Sequence, residues 1–105
     1  MSFPELTERQ KEIIGECLHA AANGPFFPDW EFHTLFGLVR EEVASVAASW
    51  PQTHADEETI FLAINNALVN LIGYPIDSEE QWDSYISVPR AEVSRICSTL
   101  SRGIS

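Results

Sequence analysis

Between Arg40 and Arg90 the chain has no lysine and no arginine. The same span carries Glu41, Glu42, Asp56, Glu57, Glu58, Asp77, Glu79, Glu80 and Asp83, and the whole chain has a formal net charge of −10. A surface of this sign repels nucleic-acid phosphates and anionic lipid and attracts basic proteins; it equally serves plain solubility. Long apolar runs are missing too: none approaches the roughly 20 residues that span a bilayer. The opening stretch MSFPELTERQKE has no apolar run ahead of a cleavage site, so it does not read as a secretory leader. These absences predict a cytoplasmic protein that meets neither membrane nor nucleic acid. Cysteine is scarce. Cys17 and Cys97 sit at apolar-phase positions without metal-type spacing to each other or to a histidine, which predicts two reduced core thiols. There is no GxGxxG, P-loop, GxSxG, CxxC or HExxH motif, so no catalytic residue, cofactor or metal ligand is expected.

The residues that remain as candidates for chemistry read as surface. His19, His33 and His54 are far apart in sequence. Asp29 and His33, four apart, share a helix face, but two ligands do not make a metal site, and the expectation is an exposed polar pair. Asp56-Glu57-Glu58 and Asp77-Ser78-Glu79-Glu80 suit helix N-termini, where carboxylates meet the positive end of the dipole. Catalytic acids need apolar burial, which such charge runs oppose.

What is present is helical periodicity. At 105 residues and 45% hydrophobic content the chain fits one domain, 1–105, able to bury a core without staples. Thr7 to Gln10 reads as a capping box. Ile13, Ile14, Cys17, Leu18 and Ala21 then recur at helical spacing, and Asn23-Gly24-Pro25 stops the first helix, over 8–22, with Gly24 free to turn left-handed. After the aromatic connector Phe26-Phe27-Pro28, Asp29 is placed to cap a short helix with Trp30, Phe32, Leu35 and Phe36, stopped by Gly37. A third helix starts near Arg40, buries Val43, Val46, Ala47 and Trp50, and ends at Pro51. Asp56 caps a fourth, over 57–72, closed by Gly73 and Pro75. Ser78 to Gln81 forms a second capping box ahead of a short helix with Trp82, Tyr85 and Ile86. Pro89 suits the first turn of the last helix, which buries Val93, Ile96, Cys97 and Leu100 and ends at Gly103. No sustained alternating pattern argues for a strand. The expected fold is all-α, a bundle of about six helices, two of them short.

The second half echoes the first at an offset of fifty. Ile14 matches Ile64, Leu18 matches Leu68, Pro25 matches Pro75, and Arg40, Glu42 and Val43 match Arg90, Glu92 and Val93. Conservative pairs such as Phe32 with Trp82 and Val46 with Ile96 fill in without a gap. This predicts two three-helix repeats, 7–51 and 56–102, each too apolar to stand alone and related by a pseudo-two-fold.

The stretches LFGLVREEVASVAASW and YISVPRAEVSRICSTL each resemble the core of a helix-turn-helix: short helix, tight turn, apolar residue, second helix. The resemblance implies a DNA-reading second helix. Such a helix offers Arg, Asn, Gln or Lys to base edges from a basic surface. Here the first offers Arg40, Glu41 and Glu42.

The aromatic link Phe26-Phe27-Pro28-Asp29-Trp30 has two readings. As structure it plugs the gap between the first and third helices; as function, Trp30 between Asp29 and Glu31 has the form of an apolar anchor with an acidic rim. The partner-binding candidates are therefore Asp29, Trp30, Glu31 and His33, with Glu79, Glu80 and Asp83 of the later acidic run. Asn65, Asn66 and Asn70 are poor helix formers on the fourth helix and read as lining a groove or facing water. The leading expectation is a non-catalytic acidic interaction module, an inhibitor, immunity-type protein or regulator that docks on a basic protein. Alternatives are a helix-turn-helix regulator and a small enzyme with an unrecognised site. A homodimer is a further expectation, with Trp50 and Trp82 as leftover apolar faces.

Overall fold

The computed structural model describes residues 6–24, 26–51, 56–73 and 79–104. Among them are six α-helices and no strand: α1 (Glu8–Asn23), α2 (Asp29–Phe36), α3 (Arg40–Ser49), α4 (Glu57–Gly73), α5 (Glu79–Tyr85) and α6 (Arg90–Ile104). The all-α bundle with two short helices is thus the observed architecture.

Local chemistry sets three of the helix ends as expected. Gln10 N–H donates to Thr7 Oγ1 at 3.0 Å and Thr7 N–H to Gln10 Oε1 at 2.9 Å, so the reciprocal box satisfies two orphan donors at the start of α1. Thr59 N–H donates to Asp56 Oδ1 at 2.8 Å. Hydrogen bonds from the Thr59 side chain and backbone hold the Asp56 carboxyl below its usual range. Gly37 has φ 70°, and its N–H reaches His33 O at 2.8 Å. This is the left-handed stop that only glycine adopts cheaply.

Three ends differ from expectation. Gly24 is extended, φ −83°, not left-handed; a Cβ there would lie 2.5 Å from Ala20 O, so close approach excludes a side chain. Asp29 is not the cap of α2 but its first residue, with Pro28 ahead of it making no side-chain cap bond; its carboxylate is drawn to Arg40 instead. Gly103 does not end α6, which runs to Ile104. Pro75, Ser78 and the 52–55 link lie outside the described residues.

One cluster of buried side chains joins all six helices. Phe32 and Phe36 stack at 4.3 Å, Phe27 meets Phe36 edge-on at 5.4 Å, and Phe26 sets its ring against Trp82 and Tyr85. Each fully buried aromatic or aliphatic side chain removes enough apolar area to stabilise by about 1.5–3 kcal/mol. Helix α1 packs on α3, α4 and α5; α4 packs on α6, α2 and α3. Positions fifty apart share their depth: Ile14 and Ile64, Leu18 and Leu68, Phe32 and Trp82, Phe36 and Ile86, Val43 and Val93, Val46 and Ile96 are all buried.

Trp82 is 5% exposed, with its indole N–H on Val88 O. Trp50 is half-buried, with its own on Lys11 O at 2.8 Å. Trp82 is thus closed to a second copy, whereas part of the Trp50 indole stays accessible beside α1. Of the two tryptophans expected to serve a dimer, Trp82 is therefore taken up by the core.

Candidate interaction surface

Helix α2 has 8 residues, too few to persist unaided. Side chains from two other helices hold it. Arg40, at the start of α3, donates through Nε to Asp29 Oδ1 at 2.8 Å, through Nη2 to Phe27 O at 2.7 Å, and through Nη1 to Ala22 O at 2.9 Å and Ala21 O at 3.3 Å. Its guanidinium also lies 4.4 Å over the Phe32 ring. The planar fork thus serves the last carbonyls of α1, the connector and the first residue of α2 at once, which a lysine ammonium does not reproduce. At the other end Asn66 Nδ2 donates to Phe36 O at 2.8 Å and Asn70 Nδ2 to Leu35 O at 3.1 Å. These bonds fill orphan carbonyls at the C-terminal turn. Asn66 and Asn70 are therefore tethers for α2, a role that neither a groove lining nor a wet face describes.

The outward side of this fixed helix carries the first group of candidates. Trp30 is 82% exposed. Asp29, His33 and Thr34 are exposed and Glu31 is half-buried. Trp30, His33 and Thr34 stand three and four residues apart and share one face. Asp29 and His33 are both exposed, as expected of a polar pair, and the Asp29 carboxylate makes an ion pair with Arg40 at the start of α3. On α5, Asp83 is exposed beside buried Trp82. Glu79 and Glu80 stand in the first turn of α5, and their side chains lie outside the described residues. The seven candidates fall on two helices with different supports, α2 on α4 and α5 on α1. The link between them is Phe26, just ahead of α2, whose ring packs on Trp82 and Tyr85 of α5.

A second feature escaped the sequence reading. An open groove of about 460 Å³ runs along α1, lined by Glu8, Lys11, Glu12, Gly15, Glu16, His19, Trp50, Pro51 and Tyr85. Gly15 makes it. A Cβ there would lie 3.2 Å from Trp50 Cδ1, so the bare backbone lets the indole lie against the helix. Opposite, Ser87 N–H and Oγ donate to Glu16 Oε1 at 2.8 and 2.9 Å, and Arg9 Nη2 donates to Ser87 Oγ at 3.1 Å. These bonds fasten the α5–α6 turn to α1 and hold Tyr85 at the groove wall. The available signal was a lone glycine inside a helix, a position that costs about 1 kcal/mol relative to alanine unless something needs the space.

Other chemistry is sparse among the described residues. Cys17 and Cys97 are free. Burial, with a smaller contribution from the Glu16 charge, pushes the Cys17 thiol up to about 12, and partial burial raises Cys97; neither is an activated thiolate. No group of three or more His, Cys, Asp or Glu side chains is placed to hold a metal ion, and no helix is long and apolar enough to cross a membrane. The outward positions of α3 are Glu41, Glu42, Ser45 and Ala48, and its one arginine is turned inward. On α6, Arg95 pairs with Glu92 at 2.8 Å. Comparison of the chain with protein-family models, with curated proteins and with solved structures finds no match.

Proposed function

We propose that the protein is a non-catalytic interaction module that docks on a basic protein through the outward face of α2. The carrying observation is Trp30, 82% exposed on a short helix fixed at both ends, by Arg40 and by Asn66 and Asn70. An aromatic anchor presented on a rigid support loses little freedom on binding. The net charge of −10 supplies long-range attraction to a cationic partner. A cytoplasmic setting suits two free thiols.

The regulator reading is disfavoured by the acidic outer face of α3, which repels phosphates. The enzyme reading is disfavoured by the openness of the α1 groove, where Glu8, Glu12 and His19 face solvent, whereas acid–base work wants a desolvated group. We also propose that residues 7–51 and 56–102 are one three-helix unit used twice, supported by the matched burial and by the crossed packing of each short helix on the other half's long helix.

The test is affinity capture from the source cell, followed by titration of the purified partner. Wild-type protein should bind one basic protein with an affinity that falls as salt rises, and Trp30→Ala should weaken it about tenfold or more. Recovery of no specific protein, or equal binding by Trp30→Ala, rejects the reading.

A further inference from the structure

The groove along α1 is separate from the Trp30 face, and its parts are matched to one kind of occupant. Its floor is apolar: Gly15 backbone, the Trp50 indole, Pro51 and the Tyr85 ring, which is 37% exposed and braced edge-on by Phe26 at 5.6 Å. Among the described residues its rim carries Glu8, Glu12 and Glu16 against one cation, Lys11. Lys11 is spent on Glu8 at 3.3 Å, and Glu16 is engaged by Ser87. Glu12 is exposed and has no ion pair or hydrogen bond among the described residues. A long aliphatic stem ending in a positive charge fits this arrangement. The stem covers indole and phenol while the head meets Glu12, in the way arginine and lysine bury their methylenes and keep the charge at a wet edge. Aromatic walls add attraction for a cation. An acidic or purely apolar segment gains from only half of the site.

We infer that the α1 groove seats an arginine or lysine side chain, with a flanking apolar residue, from a basic segment of a protein partner. This rests on the reading that the partner is basic, and it adds a second point of attachment distinct from Trp30. Two anchors on different helices fix the orientation of a partner that one tryptophan leaves free to rotate.

The three tryptophans separate the possibilities. Trp50 reports the groove, Trp30 reports the α2 face and Trp82, buried, serves as an internal control. The probe is a short synthetic peptide of alternating arginine and leucine, followed by the three indole N–H signals in NMR titration. Controls are the same peptide with glutamate for arginine and the peptide with serine for leucine. The expected result is movement of the Trp50 indole and Tyr85 ring signals by the arginine–leucine peptide, with weaker binding by both controls. Glu12→Gln should leave the fold intact and weaken binding by about two- to fivefold, as loss of one rim charge does. Gly15→Ala should press a methyl on Trp50 Cδ1, shift the indole slightly and reduce the Trp50 response, with the circular dichroism of the helices unchanged. If the peptide moves Trp30 and leaves Trp50 and Tyr85 still, the groove inference is overturned and the docking reading stands. If neither tryptophan responds, the groove inference is overturned, and the docking reading is decided by the capture experiment alone. Equal binding by the glutamate peptide overturns the charge selection on which the inference depends.

Discussion

Arg40 lies 4.4 Å over Phe32, and Arg90 lies 4.8 Å over Trp82, fifty residues later. Glu16 on α1 holds Ser87 just past α5, and Asn66 on α4 holds Phe36 at the end of α2. In both halves the same position on the long helix ties down the end of the short helix from the other half. The outer faces differ. Along α1 the groove shows Glu8, Lys11, Glu12, Gly15, Glu16 and His19; fifty positions on stand Glu58, Phe61, Leu62, Asn65, Asn66 and Val69. In sequence Trp50 corresponds to Leu100, which is buried, and Trp30 to Glu80. Packing constrains what faces the core, and a matched core demands matched residues. Outward positions escape that constraint, so the places where the halves disagree are where a particular function is expected to reside. Both surfaces proposed above lie there.

The comparison can be strained by substitution, beginning with the core. Phe36→Ala should destabilise by about 3–5 kcal/mol and Ile86→Ala by about 2–5 kcal/mol. Urea unfolding followed by two probes should stay a single coincident transition in each; separate transitions would mean that the halves do not share a core. Arg40→Ala should cost about 2–3 kcal/mol, because the carbonyls of Ala21, Ala22 and Phe27 lose a charged donor, and Arg40→Lys should recover only part of it. Gly37→Ala should cost about 1–2 kcal/mol through its left-handed φ, read as a fall in Tm. Asn66→Ala and Glu16→Ala, the paired ties, should each cost about 1 kcal/mol. A cost confined to one of them would show that the resemblance between halves stops at geometry. The smallest effect belongs to Trp30→Ala, within about 0.5 kcal/mol of wild type in stability, while the proposed partner binding should weaken about tenfold or more. In the same folded protein Cys97 should react with a thiol reagent well before Cys17, whose burial holds its pKa near 12.

Local signals carried far. The Thr7–Gln10 box, the Asp56 cap, the Gly37 stop and the apolar stripes were readable because each depends on neighbours in sequence. Gly24 and Gly103 misled because glycine at a helix end has more than one use. Gly24 meets a steric demand without a left-handed φ, and Gly103 lies inside a helix that continues past it. The Arg40 clamp was hidden for a different reason. Three of its four acceptor oxygens are backbone carbonyls 13 to 19 residues away, and every residue has a carbonyl. Asn66 and Asn70 also reach backbone, 30 and 35 residues distant, so their purpose could not be told from their neighbours. Trp30 stands out in the sequence by its acidic flanks, but its exposure and the support beneath it are tertiary facts. The groove depends on Gly15 meeting Trp50 across the fold, and periodicity is blind to such meetings.

The double tether of α2 has a practical consequence. Because Arg40 grips its start and Asn66 and Asn70 its finish, positions 30, 33 and 34 carry no structural duty. They can be randomised as a small library without unsettling the scaffold beneath. The helix is an exchangeable tip on a fixed handle.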